Sequence, residues 1–162
     1  MPRLGSLLVC EKIILDQQQK PSLISIFQGI TALVPQGQQM PKDALGGTPW
    51  CIFCEWFFAE DELTKMFEQV IEVLMPDGSP SLIKGRLTFQ QLAKDQGTRS
   101  YVSMYGMPIA NPGFLTVNVW LESESVKVTD VFSYPVKIDH TTEPRPNETA
   151  MIIPTLSQTK PK

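Results

Sequence analysis

Residues 50–62 read "WCIFCEWFFAEDE", and how this stretch is read decides the fold. It opens a run from Trp50 to Met75 that contains neither Gly nor Pro. Two periodicities compete for that run. Leu63, Met66, Phe67, Val70, Ile71 and Leu74 recur at helical spacing. Thr48-Pro49 has the form of a helix start, with Thr as cap and Pro in the first turn. On a strand, Trp50, Ile52, Cys54, Trp56 and Phe58 share one face, and Cys51, Phe53, Glu55, Phe57 and Ala59 share the other. Aromatic crowding, the polar break at Glu60-Asp61-Glu62 and the following Pro76-Asp77-Gly78 turn favour strands. They fall over 50–59 and 66–75 and are joined by "EDELTK". A helix over 61–74 is the alternative.

Outward from this stretch, turn signals punctuate the chain. They are "DQQQKP" (16–21), "PQGQQMPKDALGGTP" (35–49), "PDGSP" (76–80), "AKDQG" (93–97), "ANPG" (110–113) and "ESES" (122–125). Between them lie short runs rich in Val, Ile, Leu, Phe, Tyr and Thr, the spacing of an all-β sandwich or barrel. In "GFLTVNVWLES", Leu115, Val117, Val119 and Leu121 alternate with Thr116, Asn118, Trp120 and Glu122, which is period two with one apolar face. It pairs with "VKVTDVFSYPVKI" as a hairpin. "KGRLTFQQL" and "RSYVSMYGM" read as another hairpin, and "LGSLLVCEKIILD" with "SLISIFQGITALV" as the first. The expectation is a single antiparallel β-sandwich of about eight strands over residues 1–138. Residues 139–162 are polar and proline-punctuated, an extended tail with one apolar island at "AMIIP".

With 162 residues, 42% of them hydrophobic and 19% charged, the chain is long and apolar enough to build one sizeable core. The net charge of −3, without a basic stripe, argues against nucleic-acid binding. No apolar run approaches the ~18 residues of a membrane span, and the start lacks a secretory pattern. Three cysteines form a sparse, odd set that suits a reducing compartment. A cytoplasmic location is therefore expected, and the "NET" sequon at Asn147 reads as chance.

Three parts of the chain carry a resemblance. They are "LVCEKIILDQQQKPSLISIFQGI" (8–30), "MFEQVIEVLMPDGSP" (66–80), and "NPGFLTVNVWLES" (111–123) followed by "YPVKI" (134–138). This order resembles a family of uncharacterised bacterial β-sandwich proteins described as immunoglobulin-like or C2-like. The resemblance spans most of residues 5–138, implies strands over 50–75 and implies no established activity. The 35–49 loop and the tail lie outside it.

The chemistry open to the sequence is narrow. Cys51 and Cys54 have CxxC spacing, but residues three apart on a strand point to opposite faces, so they do not clasp one metal. Cys10 and the single histidine, His140, do not complete a ligand set. His140 would have to serve any Ser-His-Asp or Cys-His catalysis, and no GxSxG, GxGxxG or P-loop pattern occurs. No cofactor is expected. If successive strands run antiparallel, alternate turns would gather Asp16, Glu60, Asp61, Glu62, Asp95, Glu122 and Glu124 at one end. Of these, Asp16, Asp61, Asp95 and Glu122 are the candidate calcium rim of a C2-like domain.

The function expected from the residues is a non-enzymatic interaction or structural module, binding an unknown protein or itself as a homo-oligomer. Phe53 and Phe57, on the face opposite Trp56, are candidate contact residues. So are Met151, Ile152 and Ile153 of the tail, which suit an edge strand. A calcium- or small-ligand-binding domain is the alternative, and a hydrolase comes third.

Overall fold

The computed structural model describes residues 1–90 and 97–142. They form ten strands: β1 (Arg3–Leu15), β2 (Pro21–Ile26), β3 (Gly29–Leu33), β4 (Leu45–Phe57), β5 (Met66–Leu74), β6 (Pro80–Gln90), β7 (Thr98–Pro108), β8 (Gly113–Ser123), β9 (Val126–Lys127) and β10 (Phe132–Thr141). Among the described residues no α-helix occurs; Glu60–Glu62 makes one short 3₁₀ turn. The Trp50–Met75 run is therefore two strands, and the helix over 61–74 is not formed. No helix of the described residues is long and apolar enough to cross a membrane.

The strands build two sheets. One has the order β2-β1-β4-β7; the other has β3-β10-β8-β5-β6, with the short β9 beside β8. Three sequence expectations need correction. Among the described residues there are ten strands, because two expected strands each divide: the first return strand breaks at Phe27-Gln28 and its halves, β2 and β3, join different sheets, and "VKVTDVFSYPVKI" divides into β9 and β10. Pairing is not wholly antiparallel, because β3 lies parallel to β10, from Gly29 opposite Lys137 to Leu33 opposite Thr141. "KGRLTFQQL" and "RSYVSMYGM" are not a hairpin: β6 pairs with β5, β7 pairs with β4, and the two strands lie in different sheets. The first and third errors share a cause. Period-two patterning states which face is apolar but not which strand is the neighbour.

One hydrophobic core joins the two sheets. Trp50, Ile52, Cys54 and Trp56 of β4 face Phe67, Ile71 and Val73 of β5 and Leu115, Val117, Val119 and Leu121 of β8, all in one buried cluster. Gln69 shares the inward parity of β5 and is fully buried. Trp56 Nε1 donates to Gln69 Oε1 at 2.7 Å, and Ser100 Oγ of β7 donates to the same oxygen at 2.6 Å. An indole can only donate, so it fixes which end of the amide faces it. This polar contact ties the two sheets together through the middle of the core.

The Pro76-Asp77-Gly78 turn closes β5–β6 as its residues require. Gly78 takes φ +81°, where a side chain would be strained. The Asp77 carboxylate accepts from the Ser79 N–H at 2.9 Å and from its hydroxyl at 2.6 Å, and these bonds hold its pKa below the usual range. β10 continues through Asp139, His140 and Thr141, three residues past the boundary drawn at 138. Asp95, Asn147, Met151, Ile152 and Ile153 lie outside the described residues.

Candidate interaction surface

The outer faces of the two sheets differ in chemistry. On the six-stranded sheet, Arg86 of β6 pairs with Glu68 of β5 and, at 3.1 Å, with Glu122 of β8. Lys84 meets Glu72 at 3.8 Å, and Lys137 meets Asp139 at 3.0 Å. Trp120 donates to Glu122 at 2.9 Å and lies under Lys127. The Trp120 hydrogen bond, followed by Arg86, holds the Glu122 carboxyl below its ordinary pKa. This face is laced with charge pairs, with Met66, Leu82 and Phe114 exposed around them.

The outer face of the four-stranded sheet is aromatic and aliphatic. Directly opposed residues of an antiparallel pair share a face, so the register defines its rows. Leu8, Phe53 and Tyr101 make one row, and Cys10, Cys51 and Ser103 the next. Ile26 and Ile24 of β2 stand opposite Cys10 and Lys12 and extend it. Tyr105 of β7 has the same parity as Tyr101 and Ser103 and is 76% exposed. Across this face Glu55 and Arg99 form an ion pair at 2.8 Å.

Phe53 is covered to 6% exposure within its row, whereas Tyr101 beside it is 47% exposed. Phe57 remains 39% exposed. Its ring lies over Gly5 of β1 and within 3.1 Å of where a Cβ on Gly97 would stand. Absence of a side chain at these two glycines gives the ring its seat. The sequence singled out Phe53 and Phe57; the structure places the larger exposed area on Tyr101 and Tyr105. Their signal was present in "YVSMY", where Tyr101, Ser103 and Tyr105 share one parity and Val102 and Met104 the other.

The cysteines divide between the faces. Cys54 is in the core, and burial pushes its thiol up to about 12 despite a hydrogen bond with Ser100. Cys51 is on the outer face, so the CxxC pair is split by the strand. The cysteine in register with Cys51 is Cys10. Burial first, and then the neighbouring Cys51, push the Cys10 thiol up to about 11, against a backbone hydrogen bond at Lys12, which lowers it. Both raised thiols are protonated and poorly nucleophilic at neutral pH.

The acidic rim does not assemble as expected. Arg3 at the start of β1 pairs with Phe57 at the end of β4, so Asp61 lies near the first end of β1. Asp16 follows the other end of this 13-residue strand, on the order of 40 Å away. The register between β1 and β4 thus separates residues that a simple alternation of turns would join. Asp16 instead caps its own turn, accepting from the Gln18 and Lys20 N–H groups at 2.8 Å each. Glu62 is buried, accepts from the Ala59 N–H at 2.8 Å and meets the Met1 ammonium at 2.6 Å. Among the described residues no group of three or more His, Cys, Asp or Glu converges on one point. His140 Nε2 donates to the Ile109 carbonyl at 2.8 Å.

At the end of the molecule marked by the Pro76–Gly78 turn lies a cleft of about 630 Å³. Lys42, Leu45, Met75, Asp77, Ile83 and Asn111 are among its lining residues. It is large enough for a small ligand, and it came from three segments that no single motif connects. No protein-family model matches the chain, and no curated protein sequence matches it.

Proposed function

We propose that this chain is a β-sandwich of immunoglobulin-like connectivity that acts as a non-enzymatic interaction module. Its contact surface is the outer face of the four-stranded sheet. One observation carries the reading: Tyr101 and Tyr105 of one strand are 47% and 76% exposed on the same face as Cys51 and Phe53, with the exposed Phe57 on that face beyond the Glu55–Arg99 ion pair. Exposed aromatic clusters of this kind mark protein contacts. The connectivity rests on β1-β4-β7 lying against β10-β8-β5-β6, the order of strands A-B-E against G-F-C-C′. β8, in the position of strand F, has no cysteine, so the disulfide of antibody domains has no counterpart.

The test uses the immobilised full chain in a cell extract. Proteins held by the wild type are expected to be lost with Tyr101→Ser/Tyr105→Ser and kept with Leu82→Ser, a change at a fully exposed residue of β6. Equal retention by both variants would overturn the reading. A second reading, a small-ligand-binding domain, is supported by the 630 Å³ cleft rather than by the acidic rim. It predicts ligand-dependent thermal stabilisation that Ile83→Asp abolishes.

A further inference from the structure

The face just described ends at β7, and the edge of that strand is unpaired among the described residues. The direction of its free backbone groups follows from the register. The Phe27 N–H donates to the Val9 carbonyl, so Val9 turns its backbone groups toward β2. Successive residues of a strand alternate sides, so Cys10 turns toward β4. Cys10 faces Cys51, and Ile52 faces Val102. Val102 therefore bonds to β4, and Tyr101, Ser103 and Tyr105 turn their N–H and C=O groups to the open edge. The same three residues put their side chains on the aromatic outer face.

Natural sheets protect open edges with charge, Pro or brevity. β6 begins at Pro80 and carries Lys84 and Arg86; β2 and β3 have six and five residues. β7 has 11 residues; Arg99 and Pro108 stand at its two ends, and the "SYVSMYGM" (100–107) between them contains no charge and no Pro.

Resting on the interaction reading above, we propose that the occupant of this edge is a second copy of the chain, paired antiparallel along β7 about a two-fold axis at Ser103. The segment is self-complementary in this register. Ser103 faces its own copy, and Tyr101 faces the partner's Tyr105, twice by symmetry. These three rungs are hydrogen-bonded pairs and form roughly six N–H···O bonds. Each Tyr–Tyr rung adds an aromatic cross-strand contact. Gly106, at φ +79°, ends the regular edge. The result is one continuous sheet with the aromatic face doubled in area. A contact of this length is at the small end of stable interfaces.

Sedimentation equilibrium of the full chain over ~5–500 µM tests this. The wild type is expected to dimerise. Tyr101→Glu/Tyr105→Glu sets like charges opposite each other at both tyrosine rungs and should weaken the dimer about tenfold or more. Tyr101→Glu/Tyr105→Lys sets opposite charges at the same rungs and should restore it to within about threefold. Ser103→Lys, which places two ammonium groups on the axis, should also dissociate it. All changes are at exposed side chains, and circular dichroism checks the fold. A wild type that stays monomeric, or double variants that behave alike, would overturn the proposal. If the wild type is monomeric while face-dependent capture of another protein persists, the self-pairing fails and the interaction reading stands.

Discussion

Replacing Gln69 by Leu tests the polar tie between the sheets. The substitution leaves two buried donors, Trp56 Nε1 and Ser100 Oγ, without their shared acceptor. Each orphaned donor costs roughly 1–3 kcal/mol, the Ser100 hydroxyl at the low end because the Cys54 sulfur is also within its reach. Part of this is offset, because Gln69 Nε2 is itself buried without a partner, and leucine removes it. The net expected loss is about 2 kcal/mol, or a fall of about 4–8 °C in Tm for a chain of this size. Ser100→Ala alone leaves the Trp56 bond intact and should cost about 1 kcal/mol. In the double variant the orphaned hydroxyl is gone, so the second change should cost almost nothing. The predicted coupling is about 1 kcal/mol. Urea denaturation followed by tryptophan fluorescence reads all four corners of the cycle, since Trp50 and Trp56 are fully buried. Additivity to within about 0.3 kcal/mol would refute the shared-acceptor account.

Other outcomes follow from single contacts. Gly5→Ala brings a methyl group into the Phe57 ring and should cost about 1 kcal/mol; in a Phe57→Ala background this cost should disappear, which thermal melts would register. The Cys54 thiol keeps its proton in the fold to about pH 12, whereas in the unfolded chain it ionises near its ordinary value of 9.0. Above pH 9 the unfolded state thus binds fewer protons, and stability falls as pH rises, by up to about 1.4 kcal/mol per pH unit from this group. Cys54→Ala should flatten the stability profile above pH 9, while an unchanged slope would show that the thiol is not the source.

Much of the fold was legible because period-two patterning is strong where a strand has one wet face. Leu115 to Leu121 state their inward face outright, and Pro76-Asp77-Gly78 states its turn through the backbone conformation that glycine permits. Strand partners were not legible. Nothing local to "AKDQG" distinguishes a hairpin from a crossing between sheets, and nothing in "SIFQGI" announces that the chain changes sheet at Phe27-Gln28. The parallel pairing of β3 with β10 joins residues more than 100 positions apart, beyond any turn signal.

The site was half visible for the same reason. Strand geometry separated Cys51 from Cys54 and put Phe53 and Phe57 on one face without reference to any neighbour. The row Leu8–Phe53–Tyr101, which covers Phe53 and exposes Tyr101, exists only through the register of three strands. Register also sends Asp16 to the opposite end from Asp61. Gln69 was readable in principle, as the polar residue on the inward parity of Phe67, Ile71 and Val73, but its partners come from β4 and β7.

The central claim is that this protein works through the outer face of its four-stranded sheet. Hydrogen exchange of the full chain, free and in its complex with a captured protein or with itself at high concentration, tests this most directly. The account predicts slowed exchange at Tyr101, Ser103 and Tyr105, whose amides face the open edge, with little change around the cleft. Slowing confined to the cleft segments around Lys42–Leu45 and Met75–Ile83, with residues 99–105 unaffected, would contradict it.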